Sequence, residues 1–154
     1  MNTNQVKLWM LRLLRFIVGG IFIYASLDKI AHPAQFAQAV YNYQILPGQL
    51  INLTALILPW LELIAGLCLI CAVLEIPSLV ILNGLIVLFT VVVGLSLARG
   101  LDIHCGCFTT DPNAKSDMAQ VLMRDIILLA AGLAALALRL NLAKTLGKRF
   151  NPAR

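Results

Sequence analysis

Charge is scarce in this chain. Charged residues make up 12% of its 154, where a soluble domain carries about a quarter. The deficit is uneven, because almost every charge falls in short polar stretches between apolar runs of membrane-spanning length. Together with a hydrophobic share of 60%, those runs exclude an ordinary soluble fold. The chain also lacks an internal repeat and any low-complexity tract. Its length suits one domain. Four helices of roughly 20 residues, with their connectors, consume nearly all of it. No room remains for a soluble catalytic domain, so function must sit in the bundle or its loops.

The apolar runs predict four transmembrane helices, over about 11–30, 53–74, 79–98 and 119–140. The expected fold is an all-α membrane protein, a four-transmembrane-helix bundle forming one domain across residues 1–154. The first run follows Lys7, Arg12 and Arg15, as a signal peptide's would. A signal peptide has an apolar region of about 7–15 residues and then a small-residue cleavage site. Here the run continues to Ile30 without a convincing Ala-x-Ala site, so a retained first helix is expected.

Lysine and arginine near the helix ends set orientation. Lys7, Arg12 and Arg15 flank the first helix, and Arg139, Lys144, Lys148, Arg149 and Arg154 follow the fourth. An even number of spans puts both termini on one side, and these residues mark it as cytoplasmic. The opposite loops hold Lys29, Arg99 and Lys115, offset by Asp28, Asp102, Asp111 and Asp117. The net charge of +5 is therefore an orientation signal, not a sign of nucleic-acid binding, and the basic tail suits anionic headgroups. A multi-pass protein of the bacterial inner membrane is expected. The turn around Glu75, Ile76 and Pro77 is placed inside. In the first outer loop, Phe36, Val40 and Tyr43 recur at helical spacing after Pro33, which predicts a short amphipathic helix packed on the bundle as a lid. Tyr41 and Tyr43 suit an interfacial aromatic belt.

The second outer loop carries Asp102-Ile103-His104-Cys105-Gly106-Cys107-Phe108. Paired cysteines in an oxidising compartment form disulfides. A Cys-x-Cys bridge closes a very small ring, and Gly106 permits the backbone angles it demands. So short a loop adds little stability, while a strained bridge exchanges readily, which favours a redox role. His104 as imidazolium would stabilise a thiolate at Cys105. Two other readings stand beside exchange. The pair is an inert bridge or free thiols, or it binds a soft metal with His104. Structural zinc takes four ligands, and no obvious fourth is present, so no metal is expected. Cys68 and Cys71 have the Cys-x-x-Cys spacing but sit in the second apolar run, where cysteines act as small hydrophobes. The two pairs are expected roughly 20–30 Å apart across the bilayer, which excludes direct exchange between them.

Ionisable groups inside a bilayer are functional-site candidates by default. Glu62 lies three residues after Pro59, and Arg124 and Asp125 lie in the outer part of the fourth helix. A Glu62–Arg124 ion pair is expected. It either pins helix packing or forms, with Asp125, a polar wall for a cavity beneath the cysteine loop. Pro59 is expected to kink the second helix and free backbone carbonyls there.

These residues resemble the DoxX-like superfamily of small four-helix membrane proteins, specifically its MauE branch. The matching features are Arg15, Gly19 and Gly20, then Lys29, Pro33, Phe36, Tyr43 and Leu46-Pro47. Leu58-Pro59-Trp60-Leu61-Glu62-Leu63 with Gly66, Cys105-Gly106-Cys107-Phe108 and Arg124-Asp125 complete the set. Thr109 departs from the pattern, where Gly is expected. The resemblance implies a redox-associated membrane protein, linked in the MauE branch to maturation of the disulfide-rich periplasmic enzyme methylamine dehydrogenase beside a thioredoxin-like partner. Other DoxX relatives include a membrane subunit of thiosulfate:quinone oxidoreductase.

The resulting expectation is a membrane thiol–disulfide redox protein. Cys105 and Cys107, helped by His104, would exchange with a periplasmic thioredoxin-like protein or a secreted disulfide substrate. Electrons would pass to or from a membrane quinone held near Glu62, Arg124 and Asp125, with no covalently bound cofactor. The alternative is a non-catalytic membrane anchor or assembly subunit of a redox complex.

Overall fold

The structure, a computed structural model, describes residues 3–100 and 118–150. Its helices are α1 (Thr3–Ala31), α2 (Pro33–Asn42), α3 (Gly48–Ile70), α4 (Glu75–Ala98) and α5 (Met118–Phe150). Four contain segments long and apolar enough to cross a membrane, over Gln5–Ala31, Gly48–Ile70, Glu75–Ala98 and Gln120–Thr145. The shortest, of 23 residues, extends about 34 Å at 1.5 Å per residue, enough for a hydrocarbon core of about 30 Å. This is an all-α membrane protein, a bundle of four spanning helices.

Around the bundle each spanning helix packs on two others, in the ring order α1, α3, α4, α5 and back to α1. The core holds Val18, Phe22, Leu69, Leu79, Leu82, Leu128 and Ala135. Leu13, Phe16, Leu56, Trp60, Leu88, Ile126 and Ile127 point outward, as they should where the surrounding solvent is lipid. α1 and α3 approach through glycine. A Cβ on Gly66 would sit 3.1 Å from the Gly19 carbonyl oxygen and 3.0 Å from Ile23 Cγ1, so only a bare backbone fits there. Three polar side chains of α4 bond to their own helix. Ser96 donates to the Val92 carbonyl, Thr90 to Ile86 and Asn83 to Leu79, which spares lipid an unmet donor.

The amphipathic segment after Pro33 is helical. Proline at the first position of α2 loses no helical hydrogen bond. Phe36 and Ala39 are buried, and α2 lies against α3 and α1. Tyr43 follows α2 and is buried with Val93 and Val121. Tyr41 is exposed.

The turn between α3 and α4 differs from the sequence expectation. α3 ends at Ile70, not Leu74, and the turn is Cys71–Leu74. Ala72 (φ 62) takes a left-handed backbone. The Val73 N–H donates to the Cys68 carbonyl and the Ala72 N–H to Leu69. This is a Schellman termination, here with alanine where glycine is usual. Cys71 therefore caps the helix and is exposed. Glu75, Ile76 and Pro77 form the first turn of α4, where proline is tolerated and a carboxylate suits the helix dipole.

Arg15 of α1 closes the same end. Its Nε donates to the Leu69 carbonyl at 2.9 Å, its Nη2 to Ile70 at 2.9 Å and its Nη1 to Glu75 Oε1 at 2.6 Å. Arg139 of α5 pairs with the other Glu75 oxygen. One guanidinium thus satisfies carbonyls that α3 leaves open at its C-terminus and ties three helices together.

Candidate functional site

Toward the opposite end, where α1 and α4 finish and α3 and α5 begin, the bundle buries charge. Lys29 (α1) and Glu62 (α3) are 2% and 1% exposed. Lys29 Nζ donates to both Glu62 oxygens, at 2.9 and 2.8 Å. The ammonium also lies over two aromatic rings, 5.2 Å from the Phe36 centroid and 5.0 Å from that of Phe89. Such faces attract a cation. α2, α4 and the ion pair are thereby joined around one nitrogen.

Asp125 of α5 is buried beside them. Its Oδ1 accepts from Arg124 Nη2 at 3.3 Å. Its Oδ2 is buried without a hydrogen-bond partner among the described residues. A cavity of about 20 Å³ lies between, lined by Lys29, Glu62, Asp125, Phe22, Phe89 and Ile86. A space of about 10–15 Å³ holds one water, so the cavity admits a water. Buried Tyr43 stands nearby. Burial, and next the Asp125 carboxylate, push its phenol well above the ordinary tyrosine range.

The expected Glu62–Arg124 pair is corrected by this geometry. Glu62 is held by Lys29, and the described contact of Arg124 is to its neighbour Asp125. The reason is helical phase. Arg15, Phe22 and Lys29 recur at intervals of seven and share the inward face of α1, whereas the Arg124 side chain remains 37% exposed. Sequence reasoning counted Lys29 as a loop charge and missed it as a site residue. The signal was present, since Val18, Phe22, Ala25 and Lys29 follow the i, i+4, i+7 pattern of a buried stripe. Of the three residues expected to form a polar wall, Glu62 and Asp125 line the cavity, together with Lys29, and Arg124 is not part of its lining.

His104, Cys105 and Cys107 lie outside the described residues. They belong to the connection whose described flanks are Gly100, after α4, and Met118, at the start of α5. Cys68 and Cys71 are free thiols. Among the described residues no cluster of three or more His, Cys, Asp or Glu is arranged to hold a metal.

The sequence matches the family described as "Methylamine utilisation protein MauE" over residues 7–138. It is 30% identical over 133 residues to the methylamine utilization protein MauE of Paracoccus denitrificans, covering 85% of this chain and 69% of that protein. The MauE of Methylorubrum extorquens is 35% identical over 85 residues, 54% of this chain and 46% of the relative. For the MauE of Methylophilus methylotrophus the figures are 33% over 84 residues, 54% and 44%. No solved structure matches the chain. With the family match running across nearly all of the bundle, the chain belongs to the MauE family.

Proposed function

We propose that this protein serves methylamine utilisation as a membrane thiol–disulfide redox protein, with Cys105 and Cys107 as the exchanging pair. The observation that carries this reading is the Cys105-Gly106-Cys107 sequence, borne on the α4–α5 connection of a bundle whose relatives are named for methylamine utilization. The cysteines exchange with a periplasmic thioredoxin-like protein or a secreted disulfide substrate, and His104 stabilises the attacking thiolate. Oxidation of the two thiols to a disulfide releases two electrons and two protons. A lipid-soluble quinone takes up the same number to become a quinol. In this reading the quinone comes from the bilayer as a substrate. The charge asymmetry that puts both termini in the cytoplasm supports an inner-membrane protein with these cysteines outside.

The test is replacement of Cys105 and Cys107 by Ser, singly and together, in a host that depends on this chain. Growth on methylamine and thiol state by alkylation mass shift are read side by side. The expected result is normal insertion, lost growth, and a mixed disulfide accumulating in one single mutant. A double mutant that inserts and supports full growth overturns the redox reading and leaves a non-catalytic anchor or assembly subunit.

A further inference from the structure

Asp125 is anomalous for a group inside an apolar bundle. Its side chain is 6% exposed, its Oδ2 has no hydrogen-bond partner among the described residues, and it faces a cavity shared with Lys29 and Glu62. A bare ionised oxygen in such surroundings is costly. Two things relieve it here: a water in the cavity, or a proton on the oxygen. The cavity has the volume for a water. It also has the donors and acceptors, because the Lys29 ammonium has three N–H groups and spends two on Glu62.

We propose that this cavity is a proton-exchange site, in which a bound water joins Asp125 to the Lys29–Glu62 pair and Asp125 takes up and releases one proton. Uptake converts the carboxylate and a hydronium into a carboxylic acid and water. Each carboxyl oxygen of Asp125 and Glu62 then has a partner. The Asp125 O–H donates to the water, the water donates to Glu62, and Glu62 stays bridged by Lys29. Release returns the proton through the same water. The cavity walls from α4 are Ile86 and Phe89, so α4 brings no competing charge. Among the described residues, the other ionisable groups around it are Asp28 on α1, Tyr43 after α2 and Arg124 on α5. Arg124 pairs with Oδ1 and leaves Oδ2 to carry the proton. The site stands whether or not Cys105 and Cys107 exchange electrons.

The test is infrared difference spectroscopy of the full chain in lipid nanodiscs, acid minus neutral, in water and in deuterium oxide. A buried carboxylic acid gives a C=O band separate from solvent-exposed acids, shifted downward by deuterium. The expected result is one such band in the wild type, lost in Asp125→Asn and moved in frequency in Asp125→Glu. Glu62→Gln is expected to shift the band without abolishing it, since the water's acceptor changes. Should Asp125→Asn not fold, the Asp125→Glu shift alone decides. Absence of a buried acid band in the wild type, or a band unmoved by both Asp125 substitutions, overturns the proposal. So does a band lost in Glu62→Gln but retained in Asp125→Asn, which would put the proton on Glu62.

Discussion

Replacing Lys29 with Met removes the cation that holds Glu62, and the size of the effect follows from the geometry. With Nζ at 2.8–2.9 Å from both carboxylate oxygens, the gross attraction is about 6 kcal/mol at an effective dielectric constant of about 20. Most of that offsets the desolvation of two nearly unexposed groups, so the pair as a whole adds little over a well-packed apolar pair. The single change is another matter. It strands a carboxylate in an apolar bundle, at about 3–5 kcal/mol. The flexible Met side chain fits the slot between Phe36 and Phe89, where sulfur–aromatic contacts are favourable, so loss of shape is not the cause. Replacing both residues, Lys29→Met with Glu62→Met, should recover most of the loss. The measurement is a double-mutant cycle of unfolding in detergent, with stability read by circular dichroism or protease resistance. The deficit of the single mutant should narrow as pH falls, because acid neutralises the stranded carboxylate. If the double mutant is as unstable as the sum of the two single mutants, the pair is not coupled and the reasoning fails.

The remaining predictions concern other parts of the molecule. Gly66→Val should destabilise by about 1–3 kcal/mol through overpacking at the α1–α3 contact, and equal stability in detergent unfolding would mean the helices are not held that close. Ala72→Gly should stabilise by about 1 kcal/mol, because glycine carries no penalty in the left-handed cap, and an unchanged or lowered midpoint would count against the Schellman turn. Tyr43 should ionise only above the ordinary value of 10.0. A group whose protonated form is favoured by folding gives stability that is full below its unfolded pKa and lost as pH rises past it. The wild type should therefore weaken above about pH 10 relative to Tyr43→Phe, and parallel alkaline unfolding curves would contradict this. Finally, a membrane-impermeant maleimide applied to intact cells after mild reduction should label Cys105 and Cys107 but not Cys71, and the reverse pattern would invert the assigned topology.

The fold was legible because its strongest determinant is local. Apolar length identifies a spanning helix without any tertiary information, and the proline at the head of α2 together with its apolar spacing identified a short helix. The α3–α4 turn was not legible, for an identifiable reason. Helix ends are usually announced by glycine or by a proline just beyond. Here Ala72 occupies the left-handed cap, and Pro77 lies inside the next helix rather than after the last one. Composition therefore carried α3 past its end. What ends it is the pair of hydrogen bonds to the Cys68 and Leu69 carbonyls, with Arg15 taking the carbonyls of Leu69 and Ile70 from a helix more than fifty residues away. A long-range partner of that kind leaves no mark on the local sequence.

The buried site was half legible for a different reason. Glu62 and Asp125 interrupt apolar runs and so announced themselves. Lys29 sits near the end of such a run, where charge is ordinary, and reads from sequence as a residue of the outer loop. The difference between a loop lysine and a buried one lies in what stands one and two turns before it. Phe22 and Ala25 put Lys29 on the inward stripe of α1, and the side chain is long enough to carry its charge further along the bundle. Charge matching then decides among the candidate partners of Glu62. Arg124 has the right sign but the wrong phase, because Asp125 takes the inward position on α5 and adjacent residues of a helix do not share a face. Only one member of an Arg-Asp neighbour pair can face the interior. Here it is the acid, which is why two carboxylates and a single lysine share the cavity.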